Sequence, residues 1–240
     1  MNLGGPQVSV LAAQGAPAPT APVFMTQLGF GRATTGDFIT VPVGATMAPG
    51  GSVVLAYTVG SVGRHPSGVT DSVGNLYTLY TGLATRTFGF AFSRCTIAPL
   101  KSGAFVRLHI PSTDPAFTTA TAGTALAVEY SGLIAFRSQE RTAFGTGVRQ
   151  YSISTTTQGA AGKLILSAAW TIINNPATAV NVTPTHNATG FVRRAAVLSA
   201  QRSLAIFDMS SPTSTLTART IYYTKNVLPV LAVMTVGTIA

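Results

Sequence analysis

Apolar positions in this chain occur in short runs that are separated by turn residues. Residues 103–110 alternate between two sets of side chains, which is typical of a strand with one buried face. The two sets are Val106, Leu108 and Ile110 on one side and Phe105, Arg107 and His109 on the other. Residues 52–59 are instead almost continuously apolar, which is typical of an internal strand.

Further candidate strands are also short apolar or alternating runs bounded by turn residues. No segment has a convincing helical period of useful length. They are residues 37–43, 86–96, 121–130, 148–155, 163–172, 190–198, 203–209, 215–223 and 228–236. Residues 193–202 are rich in Ala and are compatible with a helical turn as well as a strand. The pattern predicts an all-β fold, namely an antiparallel two-sheet sandwich of jelly-roll type.

Residues 69–80 predict a β-hairpin, because a compact cluster of turn residues separates two extended segments. Gly74 and Asn75 are residue types that tolerate positive φ, and the Asp71 carboxylate is able to accept N–H bonds within its own turn. An oxygen-rich loop also suits calcium, but a single acid is poor provision for that ion. No metal site is therefore predicted here.

Residues 1–25 are rich in Ala, Pro and Gly and have no sustained period. Their prolines favour an extended, polyproline-like path and exclude a helix. The sequence predicts an extended docking arm at 1–25 and a single sandwich domain at 26–240, the arm lying on its own domain or on a neighbouring subunit. The residues predicted to dock are Pro17, Pro19, Pro22, Val23 and Phe24.

Charged residues make up 9% of the chain against 46% hydrophobic residues, which suits a protein packed against other subunits. The net charge is +9, but the basic residues are spread singly, with Arg193 and Arg194 as the only adjacent pair. Nucleic-acid binders concentrate such residues on one face, so no nucleic-acid partner is predicted. An acidic protein partner stays open. No run approaches the about 18 apolar residues of a membrane helix, so no membrane association is predicted.

Residues able to carry catalysis or bind metal are few and dispersed. Glu129 interrupts an apolar strand and is expected to face outward. His65, His109 and His186 lack the His-x-His spacing of metal sites in β proteins, and Cys95 is the only cysteine. The sequence predicts no catalytic residue, no metal and no cofactor, and therefore a protein that is not an enzyme.

Several stretches together resemble a family of sandwich modules in tailed-bacteriophage and bacterial surface proteins. These stretches are residues 50–56, 69–79, 127–132 and 145–147, and the likeness covers roughly residues 36–172. The most specific part is the Asp-Ser-x-Gly-Asn-x-Tyr-Thr pattern within 69–79.

The resemblance implies a non-enzymatic structural protein located in the virion. Such a subunit decorates or stabilises the capsid or forms part of the tail. Its implied partners are the major capsid or tail proteins of the same particle and further copies of itself, with a trimer as the expected homo-oligomer.

Modules of this family are also fused to carbohydrate-active enzymes, which gives an alternative function of binding a carbohydrate or a host surface. In that alternative Tyr77, Tyr80 or Trp170 would stack on sugar rings. For Trp170, packing in the core between sheets is the competing expectation.

Overall fold

The structure is a computed structural model that describes thirteen segments of the chain. They are residues 22–33, 37–59, 66–81, 88–110, 123–136, 141–146, 150–153, 163–172, 184–186, 192–197, 202–211, 219–223 and 230–239. Every regular element in these segments is a β-strand, which confirms the predicted all-β class.

Most strands lie at predicted positions, and residues 192–197, where a helical turn was an alternative, form a strand. Four strands were not predicted, namely those at residues 23–33, 135–136, 141–146 and 184–186. The strands are β1 (Val23–Ala33), β2 (Phe38–Pro42), β3 (Ser52–Thr58), β4 (Gly68–Asp71), β5 (Thr78–Thr81), β6 (Phe88–Ser93), β7 (Phe105–His109), β8 (Gly123–Ser131), β9 (Ala135–Phe136), β10 (Arg141–Thr146), β11 (Gln150–Ile153), β12 (Lys163–Ile172), β13 (Pro184–His186), β14 (Val192–Val197), β15 (Arg202–Ser211), β16 (Arg219–Tyr223) and β17 (Val230–Ile239).

The strands form four antiparallel sheets. A five-stranded central sheet has the order β1-β8-β3-β6-β5, and a three-stranded outer sheet has the order β2-β7-β4. A six-stranded sheet has the order β10-β17-β12-β15-β14, with β9 paired to β17, and a second three-stranded sheet has the order β11-β16-β13. The predicted antiparallel sandwich is confirmed, whereas jelly-roll connectivity stays a prediction.

The central sheet is buried on both faces. In β3, Val53 and Leu55 point into a core shared with the outer sheet, while Val54 and Ala56 point into a second core. This second core also contains residues of β12, β14 and β15, namely Leu166, Ala195, Val197, Leu204 and Ile206. The almost unbroken apolar runs of β3, β6 and β8 follow from this arrangement, because neither side of these strands meets water.

The outer sheet shows the opposite pattern. In its middle strand β7, Val106 and Leu108 are buried against the central sheet, and the intervening side chains are half-buried on the outward side. The alternation predicted for residues 103–110 is therefore confirmed.

The prediction of a hairpin at residues 69–80 is wrong. Strand β4 pairs with β7 in the outer sheet, and β5 pairs with β6 in the central sheet. The turn between them connects two sheets instead of two neighbouring strands. Turn-forming residue types indicate that the chain reverses direction. They do not indicate which strands the two flanking segments pair with.

Strand β1 lies at the edge of the central sheet and was absent from the predicted strands. Its glycines lower strand propensity, yet they allow β1 to approach β2 closely. A Cβ atom at Gly29 or Gly31 would fall on the carbonyl oxygen of Pro42 or Thr40, respectively. The predicted boundary between residues 25 and 26 falls inside this strand.

We expect Gly31→Ala to lower the free energy of unfolding by about 1–3 kcal/mol, because the added methyl group meets rigid backbone of β2. Gly68→Ala is the matched control, since nothing lies within 4 Å of a Cβ atom there. Urea unfolding of both variants tests this, and equal midpoints would contradict the close approach of β1 and β2.

Candidate functional site

The Asp71 carboxylate organises the turn between β4 and β5. Its Oδ1 atom accepts hydrogen bonds from the backbone N–H groups of Val73, Gly74 and Asn75 at 3.0, 2.7 and 3.1 Å. Its Oδ2 atom accepts from the Asn75 amide and the Tyr77 hydroxyl, both at 2.9 Å. The predicted local bonds of Asp71 are confirmed, and with five donors satisfied the buried carboxylate is a structural centre of the turn.

Asn75 extends this network to the loop that follows β6. Its Oδ1 atom accepts from the N–H groups of Ile97 and Ala98 at 3.1 and 3.2 Å, and its Nδ2 group donates to the Ala98 carbonyl at 2.9 Å. Gly74, with φ of 85°, takes up the positive backbone angle in the turn. In the loop that follows β6, Cys95 also has a positive backbone angle, with φ of 50°. The buried side-chain amide of Asn75 thus joins the turn between β4 and β5 to the loop after β6 by hydrogen bonds.

Three apolar side chains project from these two loops, and we call them the apolar tip. Val73, Leu76 and Ile97 are 37%, 82% and 61% exposed. Each is at or beside a backbone group that is fixed by Asp71 or Asn75. Asn75 joins the two loops, so the three side chains share one hydrogen-bonded frame. A patch of exposed apolar side chains is typical of a contact surface for another protein.

Glu129 does not face outward, and that prediction is wrong. The side chain is buried, and its Oε1 atom accepts a hydrogen bond from the backbone N–H of Ala48 at 2.9 Å. Strand β8 lies between β1 and β3 in a sheet that is covered on both faces, so it has no outward side. The carboxylate therefore holds the loop between β2 and β3.

Asp208 performs a similar task between the central and six-stranded sheets. This buried carboxylate accepts hydrogen bonds from the Tyr130 hydroxyl and from Arg194 Nε, each at 2.8 Å. The guanidinium carbon of Arg194 also lies 5.5 Å from the ring centroid of Phe24. Burial, reinforced by Asp208, raises the pKa of Tyr130 well above its ordinary value. The network joins β8, β14 and β15.

The tyrosines predicted to stack on sugars lie on opposite faces of the central sheet. Tyr77 packs on the core shared with the outer sheet, and burial, followed by Asp71, raises its pKa. Tyr80 packs on the second core, with its ring 5.0 Å from that of Phe136. Trp170 lies within β12, between β15 and β17, and its side chain is outside the described part. The two tyrosines do not form one platform.

The five residues predicted to dock the arm differ in burial, and two of them are outside the described residues. Pro17 and Pro19 lie outside the described residues, and Pro22 is buried just before β1. Val23 is exposed, whereas Phe24 is half-buried and contacts the Tyr130 ring edge-on at 5.7 Å. Phe24 is thus held by its own domain.

Histidine, cysteine and acidic side chains do not form a group of three suited to a metal ion anywhere in the described segments. His109 Nε2 lies 2.8 Å from Thr70 Oγ1, and Cys95 is half-buried. His65 is outside the described part, as is the side chain of His186. The described segments also contain no helix of the length and apolarity needed to cross a membrane.

Comparison of the chain with protein-family models, with curated proteins and with solved structures finds no match. A function is therefore proposed from the geometry and composition of the chain and from the sequence resemblance described above.

Sequence reasoning missed the apolar tip and the bonds of Asp208. A signal for the tip was present, since Val73 and Leu76 are apolar residues that flank a turn cluster. No local signal pairs Asp208 with Tyr130, because 78 positions separate them.

We expect Asp71→Asn to lower the free energy of unfolding by about 3 kcal/mol, because an amide cannot accept five hydrogen bonds and turns an NH₂ group toward other donors. Tyr77→Phe removes one of these bonds and should cost about 1 kcal/mol. Urea unfolding compares the two. Equal losses would show that the carboxylate does not organise the turn.

Stability should fall as pH rises above about 10. Tyr77 and Tyr130 keep their protons in the folded chain at pH values where the unfolded chain ionises them. The folded state then binds more protons than the unfolded state, so the stabilisation is complete below the unfolded pKa and is lost above it. Urea midpoints from about pH 8 to 11 measure this fall. The slope should be shallower in a Tyr77→Phe/Tyr130→Phe double variant, and equal slopes would contradict the assignment.

Proposed function

We propose that this chain is a non-enzymatic structural subunit of a tailed-phage virion, an accessory protein that decorates or stabilises the capsid or forms part of the tail. The observation that supports the proposal best is the apolar tip, which a rigid hydrogen-bonded frame presents to solvent. The phage context comes from the sequence resemblance.

The tip suits a lasting contact between subunits for an energetic reason. Burying a side chain such as Leu76 against a partner contributes about 1.5–3 kcal/mol. Because Asp71 and Asn75 already fix the loops, little ordering entropy is lost when the contact forms. A subunit that must join a particle gains from such a preformed surface.

The described buried acids support the same role. Asp71 fixes a turn, Glu129 fixes a loop and Asp208 joins two sheets. Each carboxylate is committed to holding the fold, as expected of a protein whose task is mechanical.

The arm supplies a second contact in this proposal. Since Phe24 is packed within its own domain, we assign this contact to residues 1–21, which lie outside the described residues. The neighbour is another copy of the chain, in a trimer by the resemblance, or a major capsid or tail protein. Carbohydrate binding is the weaker alternative, because Tyr77 and Tyr80 lie on opposite faces of the central sheet.

We expect the double variant Leu76→Ser/Ile97→Ser to stay folded but to assemble less, because it removes the two most exposed side chains of the tip. Val192→Ser is the control, since Val192 is 45% exposed and lies on β14, outside the tip. Light scattering should show an oligomer for the full chain and the control and smaller species for the double variant.

A chain lacking residues 1–21 belongs in the same experiment and should also lose assembly while its β-sheet circular dichroism is kept. Purified particles of the encoding phage should contain the full chain and exclude both assembly-defective forms. A full chain that is monomeric and missing from the particles would contradict the proposed function.

A further inference from the structure

The outward side of the outer sheet forms a second surface, distinct from the apolar tip, which we call the outer face. Its middle row comes from β7, and flanking rows come from β2 and β4. Its side chains include Phe38, Thr40, Thr70, Phe105, Arg107 and His109.

Arg107 is the centre of the outer face and is held on several sides. Its guanidinium carbon lies 4.4 Å from the ring centroid of Phe38 and 4.7 Å from that of Phe105. Its Nε group donates to Thr40 Oγ1 at 3.4 Å. Two aromatic contacts and one hydrogen bond thus fix a cation in a partly desolvated position, and its terminal nitrogens are further hydrogen-bond donors.

No described acid neutralises this cation. The buried carboxylate of Asp208 is paired with Arg194, away from the outer face. Register places Thr40 and Thr70 on either side of Arg107, so its neighbours across the sheet carry hydroxyl groups.

The whole described surface is short of carboxylates. The chain has fifteen Lys and Arg residues against six acids, and three of these acids, Asp71, Glu129 and Asp208, are buried. Among the described acids only Asp37 is exposed. An acidic partner therefore matches this surface in charge.

We propose that the outer face binds an acidic segment of another protein, with one Asp or Glu carboxylate of that segment seated on the guanidinium of Arg107. The planar guanidinium suits two parallel hydrogen bonds to a carboxylate, and the flanking rings exclude water from them. Phe38, which is 44% exposed, provides an apolar contact for a side chain next to the acid. This inference rests on the proposed function in that the segment belongs to a neighbouring protein of the particle.

A protein segment fits the outer face better than single-stranded nucleic acid. A phosphate backbone needs a row of cations, and Arg107 is the only Arg or Lys of the described outer face. Phe105 is half-buried and contacts the guanidinium, so Phe38 is the one exposed ring of the described outer face, whereas single-stranded nucleic acid needs successive rings to stack its bases. A second copy of the chain fits less well, because Asp37 is the only exposed carboxylate among the described acids.

The test is fluorescence anisotropy with three labelled probes. The first is the peptide Glu-Leu-Glu-Phe-Glu-Leu, the second is the same peptide with Gln in place of Glu, and the third is an oligothymidylate. We expect the acidic peptide to bind the full chain and to bind more weakly as salt rises, because the contact is electrostatic. The Gln peptide should bind at least about tenfold more weakly.

Variants assign the binding to the outer face. Arg107→Lys keeps the charge but loses the planar fork, so we expect about tenfold weaker binding of the acidic peptide. Arg107→Met should lose binding further, whereas Arg94→Met makes the same change in net charge on an exposed loop residue and should keep it. Urea midpoints show whether each variant is folded. If Arg107→Met does not fold, Arg107→Lys is the variant that decides the test.

Three results would overturn the proposal: no binding of the acidic peptide, equal binding of the Glu and Gln peptides, or equal losses in Arg94→Met and Arg107→Lys. Tighter, Arg107-dependent binding of the oligothymidylate would assign the face to nucleic acid instead. These outcomes are independent of the oligomer and particle measurements, so a failure here is distinguishable from a failure of the proposed function.

Discussion

Side chains on both faces of the central sheet are packed against another sheet, so β3, β6 and β8 have no solvent side for a polar residue. Burial of this apolar surface is the main stabilising force, and every polar group caught within it needs a partner. Glu129 accepts a hydrogen bond from the Ala48 N–H group, and the Tyr130 hydroxyl donates one to Asp208. The positions of the neighbouring loop and of the six-stranded sheet are fixed by these partners.

The use of polar side chains inside the fold also determines which side chains are exposed on the surface. Because Asp71, Glu129 and Asp208 are used inside the fold, they leave the described surface with few carboxylates. Because Asn75 fixes two loops, apolar side chains such as Leu76 are displayed on a rigid support. Interior hydrogen bonding and surface chemistry are therefore linked in this chain.

The two surfaces are suited to different kinds of contact. The apolar tip gains energy by burial and makes no demand on the charge of its partner. The outer face places a cation between two aromatic rings, so it discriminates by charge and geometry. In the function we propose, the chain would join like copies through one surface and a different, acidic protein through the other.

Local residue patterns predict the all-β class, most strand positions, the alternation of β7 and the bonds of Asp71 within its turn, because these depend on neighbours a few residues apart. The other features arise from contacts between distant segments. Tertiary structure separated β4 and β5 into different sheets, made the glycines of β1 necessary for contact with β2, and buried Glu129. It also placed Arg107 between two rings. Each of these depends on which distant strands pack together, and a local pattern of residue types does not encode that choice.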